Sequence, residues 1–261
     1  MSDLTESRRR RSYTMAIEIN KQEFVSRLMT VFSENGLLNL LDDERCELFY
    51  RLTERMLTEN EKYNLTAITD VNKIILGHYA DCAAIEGSFK DGGRVVDVGC
   101  GAGFPTLPLA IVRPDLQITA IDSTAKRVGY VAETAKMLGL SNISTRVIRA
   151  EDAGRTEELR ESFDYATARA VAELRVLCEL CLPLVKTGGK MVAMKGRNAE
   201  LELQGARDAI AKLGGKGGSF DSITLRDADE ELTHPLILID KMSKTPRSYP
   251  RAYSQISKKP L

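Results

Sequence analysis

Val95-Val96-Asp97-Val98-Gly99-Cys100-Gly101-Ala102-Gly103-Phe104-Pro105 is the stretch that decides the fold. A short β-branched apolar run ends in alternating glycines, which is how a first strand turns tightly into a ligand-facing loop where a Cβ would collide. Downstream the texture repeats. A helical pattern over 107–112 is stopped by Pro114, 117–121 reads as a second strand and 125–138 as a helix with Val128, Val131, Ala135 and Leu138 on one side. Strands follow at 144–148 and 163–167, then a helix over 171–184, a Gly188-Gly189 turn and a fifth strand at 190–194. Strands alternating with helices through short turns predict an α/β, doubly wound, Rossmann-like parallel sheet with helices on both faces. Segments 223–225 and 236–239 could add two strands.

Upstream, Phe24, Leu28, Phe32, Leu37, Leu40 and Leu41, then Leu48, Phe49, Leu52 and Met56, keep helical spacing. Asn64-Leu65-Thr66 interrupts that pattern, and Asp70 can cap a further helix through Ile74, Ile75 and His78. The expected organisation is therefore a disordered basic tail over 1–18, a helical cap over 19–90, the α/β core over 91–245 and a basic C-terminal tail over 246–261. Met15 offers an internal start within the first tail.

The 261 residues are 43% hydrophobic and 28% charged, which excludes global disorder and fibrous classes. Lys+Arg and Asp+Glu are both 37, so partners must be sought in local charge. Arg8, Arg9, Arg10 and Arg11 form one basic run; beyond residue 240 stand six basic residues and no acidic one. No apolar run approaches the ~20 residues of a spanning helix, and no secretory signal opens the chain. Five scattered cysteines point to free thiols in a reducing, cytoplasmic setting. Cys178 and Cys181 form a lone C-x-x-C inside a helical pattern, so they read as small apolar helix residues, and no metal is expected.

Phe104 stands where the dinucleotide fingerprint needs its last glycine, which disfavours a nicotinamide-dependent dehydrogenase. Asp97 two residues before Gly99-x-Gly101-x-Gly103 instead resembles the loop by which Rossmann-like methyltransferases hold S-adenosylmethionine, the acid ordering the loop or the methionine ammonium. Asp122 closes the second strand, where a carboxylate can accept from ribose hydroxyls, and Ala150-Glu151 closes the third, where the adenine edge would lie. Acids at three successive strand ends fit one nucleoside lying across them.

The fourth strand ends in Thr167-Ala168-Arg169-Ala170, without the Pro and aromatic residue usual for exocyclic-amine methylation. Ring-carbon methylation would need a cysteine at a strand end, and O-methylation a base, yet His78 and His234 are the only histidines. An acceptor that already owns an exposed lone pair, such as guanine N7, needs positioning rather than proton removal.

Tyr63-Asn64-Leu65-Thr66, His78-x-x-Asp81, the glycine loop through Phe104-Pro105, Arg113-Pro114, Asp122-Ser123-x-x-Lys126-Arg127, Ala150-Glu151, Arg169-Ala170-Val171-Ala172 and Lys195-Gly196 occur in this order, followed by Thr245-Pro246-Arg247-Ser248-Tyr249-Pro250-Arg251. Together, over residues 20–261, they resemble the ribosomal RNA small subunit methyltransferase G family, also called the glucose-inhibited division protein B family. The resemblance implies transfer of a methyl group from S-adenosylmethionine to guanine N7 in the decoding-region loop of bacterial 16S rRNA. It places Gly99, Phe104, Asp122, Ser123, Thr124, Ala150, Glu151 and Arg169 at the cofactor. Cys100 and Cys82 stand where the family commonly has Ser or Thr and Ser.

Candidates on the acceptor side are Asn64, His78, Arg169 and Lys195. Candidates for RNA contact are Lys126, Arg127, Arg197, Arg247, Arg251, Lys258 and Lys259, with Tyr249 and Tyr253 interleaved for stacking. The expected partner is 16S rRNA, or an assembly intermediate of the small subunit, met by a monomer without a membrane. The alternatives are a methyltransferase of a small molecule or protein, and a non-catalytic RNA-binding protein.

Overall fold

The computed structural model describes residues 19–228 and 230–261. The expected tail over 1–18, with Arg8, Arg9, Arg10 and Arg11, lies outside the described residues. Helices α1 (Lys21–Glu34) and α2 (Asp43–Tyr63) come first. Asn20 caps α1 through Glu23 N and Asp42 caps α2 through Arg45 N, each side chain taking up one of the amides left over at a helix start. Asp70 caps α3 (Val71–Ile74) in the same way; α3 then widens into a π-helical stretch, Ile75–Ala80, and returns to α-helix as α4 (Asp81–Ala83).

The sheet follows: β1 (Arg94–Val98), α5 (Thr106–Val112), β2 (Gln117–Asp122), α6 (Ala125–Leu138), β3 (Ile143–Val147), α7 (Ala150–Ala153), β4 (Phe163–Arg169), α8 (Leu174–Cys181), β5 (Val185–Met194), α9 (Ala199–Gly205), α10 (Arg207–Lys212), β6 (Gly215–Asp227), β7 (Glu230–Lys241) and α11 (Tyr253–Lys258). Strand order is β3-β2-β1-β4-β5-β7-β6. The order reverses between β1 and β4, so the crevice above their carboxyl ends is where such a sheet receives a ligand.

The first five strands are parallel, as expected. The last two correct the all-parallel expectation: β7 runs antiparallel to β5, and β6 antiparallel to β7 from Gly215↔Lys241 to Asp227↔Glu230. A connection that short cannot make a crossover, so the two strands can only pair as a hairpin.

Strand side chains alternate between two apolar cores. Val95 packs into one with Phe24, Leu28, Phe49, Leu52, Met56, Tyr79 and Val131, while Val96 and Val98 pack into the other with Leu174, Leu177, Ile210 and Ile256. Residues 19–90 therefore belong, with α5 and α6, to one of the two layers that cover the sheet, sharing its core rather than standing apart as a cap.

The C-terminal segment also departs from expectation. Arg160 donates to the carbonyls of Tyr249 (2.8 Å) and Thr245 (2.7 Å), Arg155 Nε donates to Pro250 O (3.0 Å), and Ile256 is fully buried. Residues 246–261 are strapped across the second face, because backbone carbonyls that would otherwise face solvent find guanidinium donors there.

Lys241, at the end of β7, is buried with its Nζ donating to Leu182 O (2.6 Å) and Thr245 Oγ1 (2.5 Å), 3.4 Å from Glu161 Oε1. Burial lowers its pKa from 10.5 to about 8, with Glu161 opposing. The folded state thus releases the proton near pH 8 while the unfolded chain holds it to about 10.5, so between these values the unfolded state binds more protons and stability rises with pH. Urea unfolding at pH 7.5 and pH 10 is expected to show wild-type gaining on Lys241→Met as pH rises; a pH-independent difference would refute it.

Candidate active site

The loop after β1 is fastened to the end of β2. Gly99 N and Cys100 N both donate to Ile121 O (2.8 and 3.0 Å), and Asp122 accepts from Gly101 N (3.2 Å) and Thr124 N (2.8 Å). Gly99 has φ +75°, and a Cβ there would lie 2.8 Å from Val171 Cγ2. Only glycine combines that backbone with that approach.

Two cavities open above the switch point. One, of about 370 Å³, is lined by Val98, Gly99, Ile121, Asp122, Ser123, Arg127, Ile148, Arg149, Ala150, Glu151, Ala170, Val171, Leu180 and Tyr253. The other, of about 450 Å³, is lined by Asn64, Leu65, Thr66, His78, Gly99, Cys100, Gly101, Ala102, Phe104, Thr124, Lys126, Arg127, Arg169 and Ala170. They share Gly99, Arg127 and Ala170. The first offers apolar side chains between two nearly buried carboxylates, Asp122 and Glu151, which suits an adenosine. The second, with Asn64, Thr66 and His78 beside the glycine loop, suits the amino acid end.

Asp97 and Gly103 line neither cavity. Asp97 is fully buried and accepts from Thr106 Oγ1 (2.5 Å), tying β1 to the start of α5, so its part is to order the loop. Burial raises its pKa to about 6 despite the Thr106 hydrogen bond. Its Oδ1, and Oγ1 of its register partner Thr167 on β4, are buried without a hydrogen bond. Acceptors left over beneath the loop fit a ligand that brings an ammonium. At Gly103 (φ +88°) a Cβ would meet Leu107 Cδ1 at 2.5 Å, so this glycine lets α5 pack.

Asn64 and His78 do reach the cavity. Asn64 ends α2 in the left-handed region (φ 49°), which Asn tolerates better than most residues. Asn60 brackets the following loop by donating to Thr66 O (3.0 Å) and accepting from Thr66 N (2.9 Å). Thr66 Oγ1 in turn lies 3.0 Å from His78 Nε2. The His78 ring stacks on Phe104, centroids 4.3 Å apart and 19° from parallel.

Arg169, at the end of β4, joins both layers. It donates to Gly77 O (2.8 Å), lies 3.3 Å from Asp81 Oδ2 and Cys82 Sγ, and meets His78 Nδ1 at 3.2 Å. Nδ1 also lies 3.1 Å from Gly77 O, so it sits between a guanidinium that only donates and a carbonyl that only accepts, and both ring nitrogens are engaged. Burial, then the Arg169 charge, lowers the His78 pKa to about 4. His78 is thus a neutral, positioned ring rather than a base poised for proton transfer.

The Lys195 ammonium is already committed. Its Nζ donates to Ala172 O (2.7 Å) and pairs with Glu202 Oε2 (2.7 Å), stapling the end of β5 to α9, and it lines neither cavity. Arg251 departs from the RNA-facing set, because it is committed to the buried Glu179. Arg127 shares its charge with Asp122 at 3.6 Å. Lys126, Arg197, Arg247, Lys258 and Lys259 are exposed. All five cysteines are buried free thiols, and burial pushes Cys82 up to about 12.

The family model for rRNA small subunit methyltransferase G matches residues 45–232, well over half of the chain. Ribosomal RNA small subunit methyltransferase G of Clostridium perfringens is 42% identical over 222 residues, covering 84% of this chain and 92% of its own. The Lactobacillus johnsonii protein of the same name is 43% identical over 225 residues, covering 85% and 93%. Among solved structures, an S-adenosylmethionine-dependent O-methyltransferase from Thermotoga maritima superposes with a TM-score of 0.51 at 17% identity, over 73% of this chain and 72% of that one. The [4+2]-cyclase SpnF gives 0.52 at 16%, over 74% and 94%. A cyclase and an O-methyltransferase on one scaffold establish the Rossmann-like methyltransferase fold and nothing about the acceptor. The sequence relationship is what decides: the chain belongs to the rRNA small subunit methyltransferase G family.

Proposed function

We propose that the protein transfers a methyl group to N7 of a guanine in the decoding-region loop of bacterial 16S rRNA. As a member of its family, on this fold, it is an S-adenosylmethionine-dependent methyltransferase. The observation that carries the N7 reading is the chemistry of the cavity beside the glycine loop: His78 is neutral and held on both ring nitrogens, Arg169 is a permanent cation, and among the described residues that line it there is no carboxylate and the one thiol, Cys100, is buried. Bound there, S-adenosylmethionine supplies an electrophilic methyl carried on a sulfonium. Asp122 and Glu151 hold the ribose and adenine, Gly99 lets the backbone close on the ligand, and Phe104 with His78 forms a flat wall for positioning.

An acceptor with its own lone pair needs no more from the protein. Lys126, Arg127 and Arg149 at the cavity mouths, with Arg197, Arg247, Lys258 and Lys259, are the groups that meet phosphate. The reading carries a cytoplasmic location, a monomer, and either free 16S rRNA or an assembling small subunit as substrate; no helix among the described residues is long and apolar enough to cross a membrane.

Labelled methyl transfer to small subunits from cells lacking this protein tests the reading. Borohydride reduction followed by aniline cleaves RNA at 7-methylguanine, and one new cut in the decoding-region loop is expected. Label appearing only in a small molecule or a protein, or in a base that resists this cleavage, would overturn it.

A further inference from the structure

Beside the cofactor cavities lies a third, of about 250 Å³, between the carboxyl ends of β4 and β5, lined by Asp81, Arg169, Met194, Lys195, Gly196 and His234. It adjoins the cavity beside the glycine loop, with Arg169 and Ala170 lining both. His234, on β7, reaches this end of the sheet because Lys195 N donates to Pro235 O (2.8 Å), pinning β7 beside the end of β5.

His234 Nδ1 lies 2.6 Å from Asp81 Oδ1. The Asp81 carboxylate is fully buried, while the His234 side chain keeps 29% of its surface. A carboxylate only accepts, so Nδ1 carries a proton, and in the neutral form of the ring Nε2 is the acceptor. Among the described residues nothing hydrogen-bonds to Nε2. The carboxylate is held from its other side by Arg169, 3.3 Å from Oδ2, so the pair is braced against the cofactor wall.

We propose that this cavity receives the acceptor base and that His234 Nε2 reads its Watson–Crick edge by accepting a hydrogen bond from the N1–H or N2–H of guanine. The assignment rests on the guanine reading above. Guanine offers two adjacent donors on that edge where adenine offers an amine beside a bare ring nitrogen and pyrimidines present a smaller edge. The Met194 side chain supplies the apolar contact for a base plane.

The same contact strengthens as the reaction proceeds. The N7 lone pair forms the bond to carbon while the carbon–sulfur pair departs with sulfur, and positive charge spreads over the purine. N1–H and N2–H become better donors, so an acceptor fixed on that edge holds the transition state more tightly than the ground state. The proton stays on the base; Nε2 only accepts.

The chain has two histidines, so ¹⁵N-histidine labelling resolves both. The His234 spectrum is expected to show protonated Nδ1 and bare Nε2, with Asp81→Asn, the variant of the positioning residue, shifting that balance; a bare Nδ1 in the wild-type protein would overturn the proposal whatever the activity. In methyl transfer to small subunits, His234→Ala is expected to lower kcat/KM roughly 10–100-fold, the loss of one hydrogen bond that charge development strengthens. Affinity for S-adenosylhomocysteine by calorimetry should stay within about twofold, which also certifies the fold. His234→Gln, whose amide oxygen can accept, should recover most of the loss. Unchanged kcat/KM, or a parallel loss of S-adenosylhomocysteine binding, would overturn the assignment. Wild-type protein that leaves guanine N7 unmethylated would instead overturn the function on which it rests, and the two failures are told apart by the wild-type control.

Discussion

Arg251→Ala is expected to lower the melting temperature by about 10 °C and to weaken S-adenosylhomocysteine binding, while leaving the salt dependence of rRNA binding unchanged. The guanidinium donates through Nε and Nη2 to both oxygens of Glu179 (2.9 and 2.6 Å), and the backbone N of Arg251 donates as well (2.8 Å). Glu179 is fully buried in α8, so truncation leaves a carboxylate in the core with a single amide for company. Breaking a buried pair from one side costs about 3–5 kcal/mol, and each kcal/mol is worth roughly 2–4 °C in a domain of this size. The retained amide puts the expected cost at the lower end. The double variant Arg251→Ala/Glu179→Leu should regain much of the loss, because an apolar pair leaves no charge behind.

The cofactor effect follows from position: Tyr253, two residues on, lines the adenosine cavity. If Arg251 touched phosphate, its removal would reduce the slope of log affinity against log salt by about one. Arg247, which is exposed, is the residue whose replacement should do that. A changed slope with an unchanged melting temperature for Arg251→Ala would reverse this assignment.

Arg251 also marks the limit of what the sequence could disclose. A basic segment with interleaved tyrosines suggests nucleic acid, and nothing in the order of residues says that one arginine is matched to a glutamate 72 positions earlier, inside an apolar helix. Glu179 itself was the available signal: it sits between Cys178 and Leu180 in a helix whose other positions are nearly all apolar. The parallel strands were legible because each step is local, with a β-branched run, a turn and a helix of the right period. α6 begins and ends where its apolar side does, at Ala125 and Leu138. The direction of β6 and β7 was not legible, since short apolar patches do not record antiparallel pairing.

Within the site, the glycine loop, Asp122 and Ala150-Glu151 were readable because each closes a strand. Tyr253, Arg149 and Asn60 were not. They act at the cavity only through long-range packing, as when Asn60 brackets Thr66 so that Thr66 meets His78. Lys195 misled for the same reason: the end of a strand is the right address, yet Glu202 and the Ala172 carbonyl claim its ammonium.

The largest functional loss is expected at Arg169, with methyl transfer falling about a thousandfold or more in Arg169→Ala and about a hundredfold in Arg169→Lys. One guanidinium reaches four groups: the Gly77 carbonyl, the Asp81 carboxylate, the Cys82 sulfur and the His78 imidazole. Those partners lie on the π-helical stretch and its exit, so Arg169 is what registers the helical layer against β4 at the cavity. π-helical turns are rare and tend to mark functional sites, and here the widened turn sets Gly77 and His78 against that fork. Alanine leaves the fully buried Asp81 with His234 as its remaining partner, which puts the cost at the lower end of the about 3–5 kcal/mol for breaking a buried pair. It also lets His78 slide against Phe104, and displacement of a positioning group costs rate even when binding survives.

Lysine restores a charge but not the fork, because an ammonium cannot keep the spacing of a planar guanidinium across four partners. A second readout separates this account from simple unfolding. Burial chiefly, and then the Arg169 charge, holds the His78 pKa at about 4, so removing the cation must move it upward. Histidine titration by NMR should therefore show His78 rising in Arg169→Ala and staying low in Arg169→Lys. Because a charged imidazolium is drawn out of its buried place on Phe104, residual activity in Arg169→Ala should fall as pH drops through the new value, where wild-type activity shows no such step above about pH 5. An Arg169→Ala protein that keeps wild-type methyl transfer, or a His78 pKa that does not move, would remove Arg169 from the site.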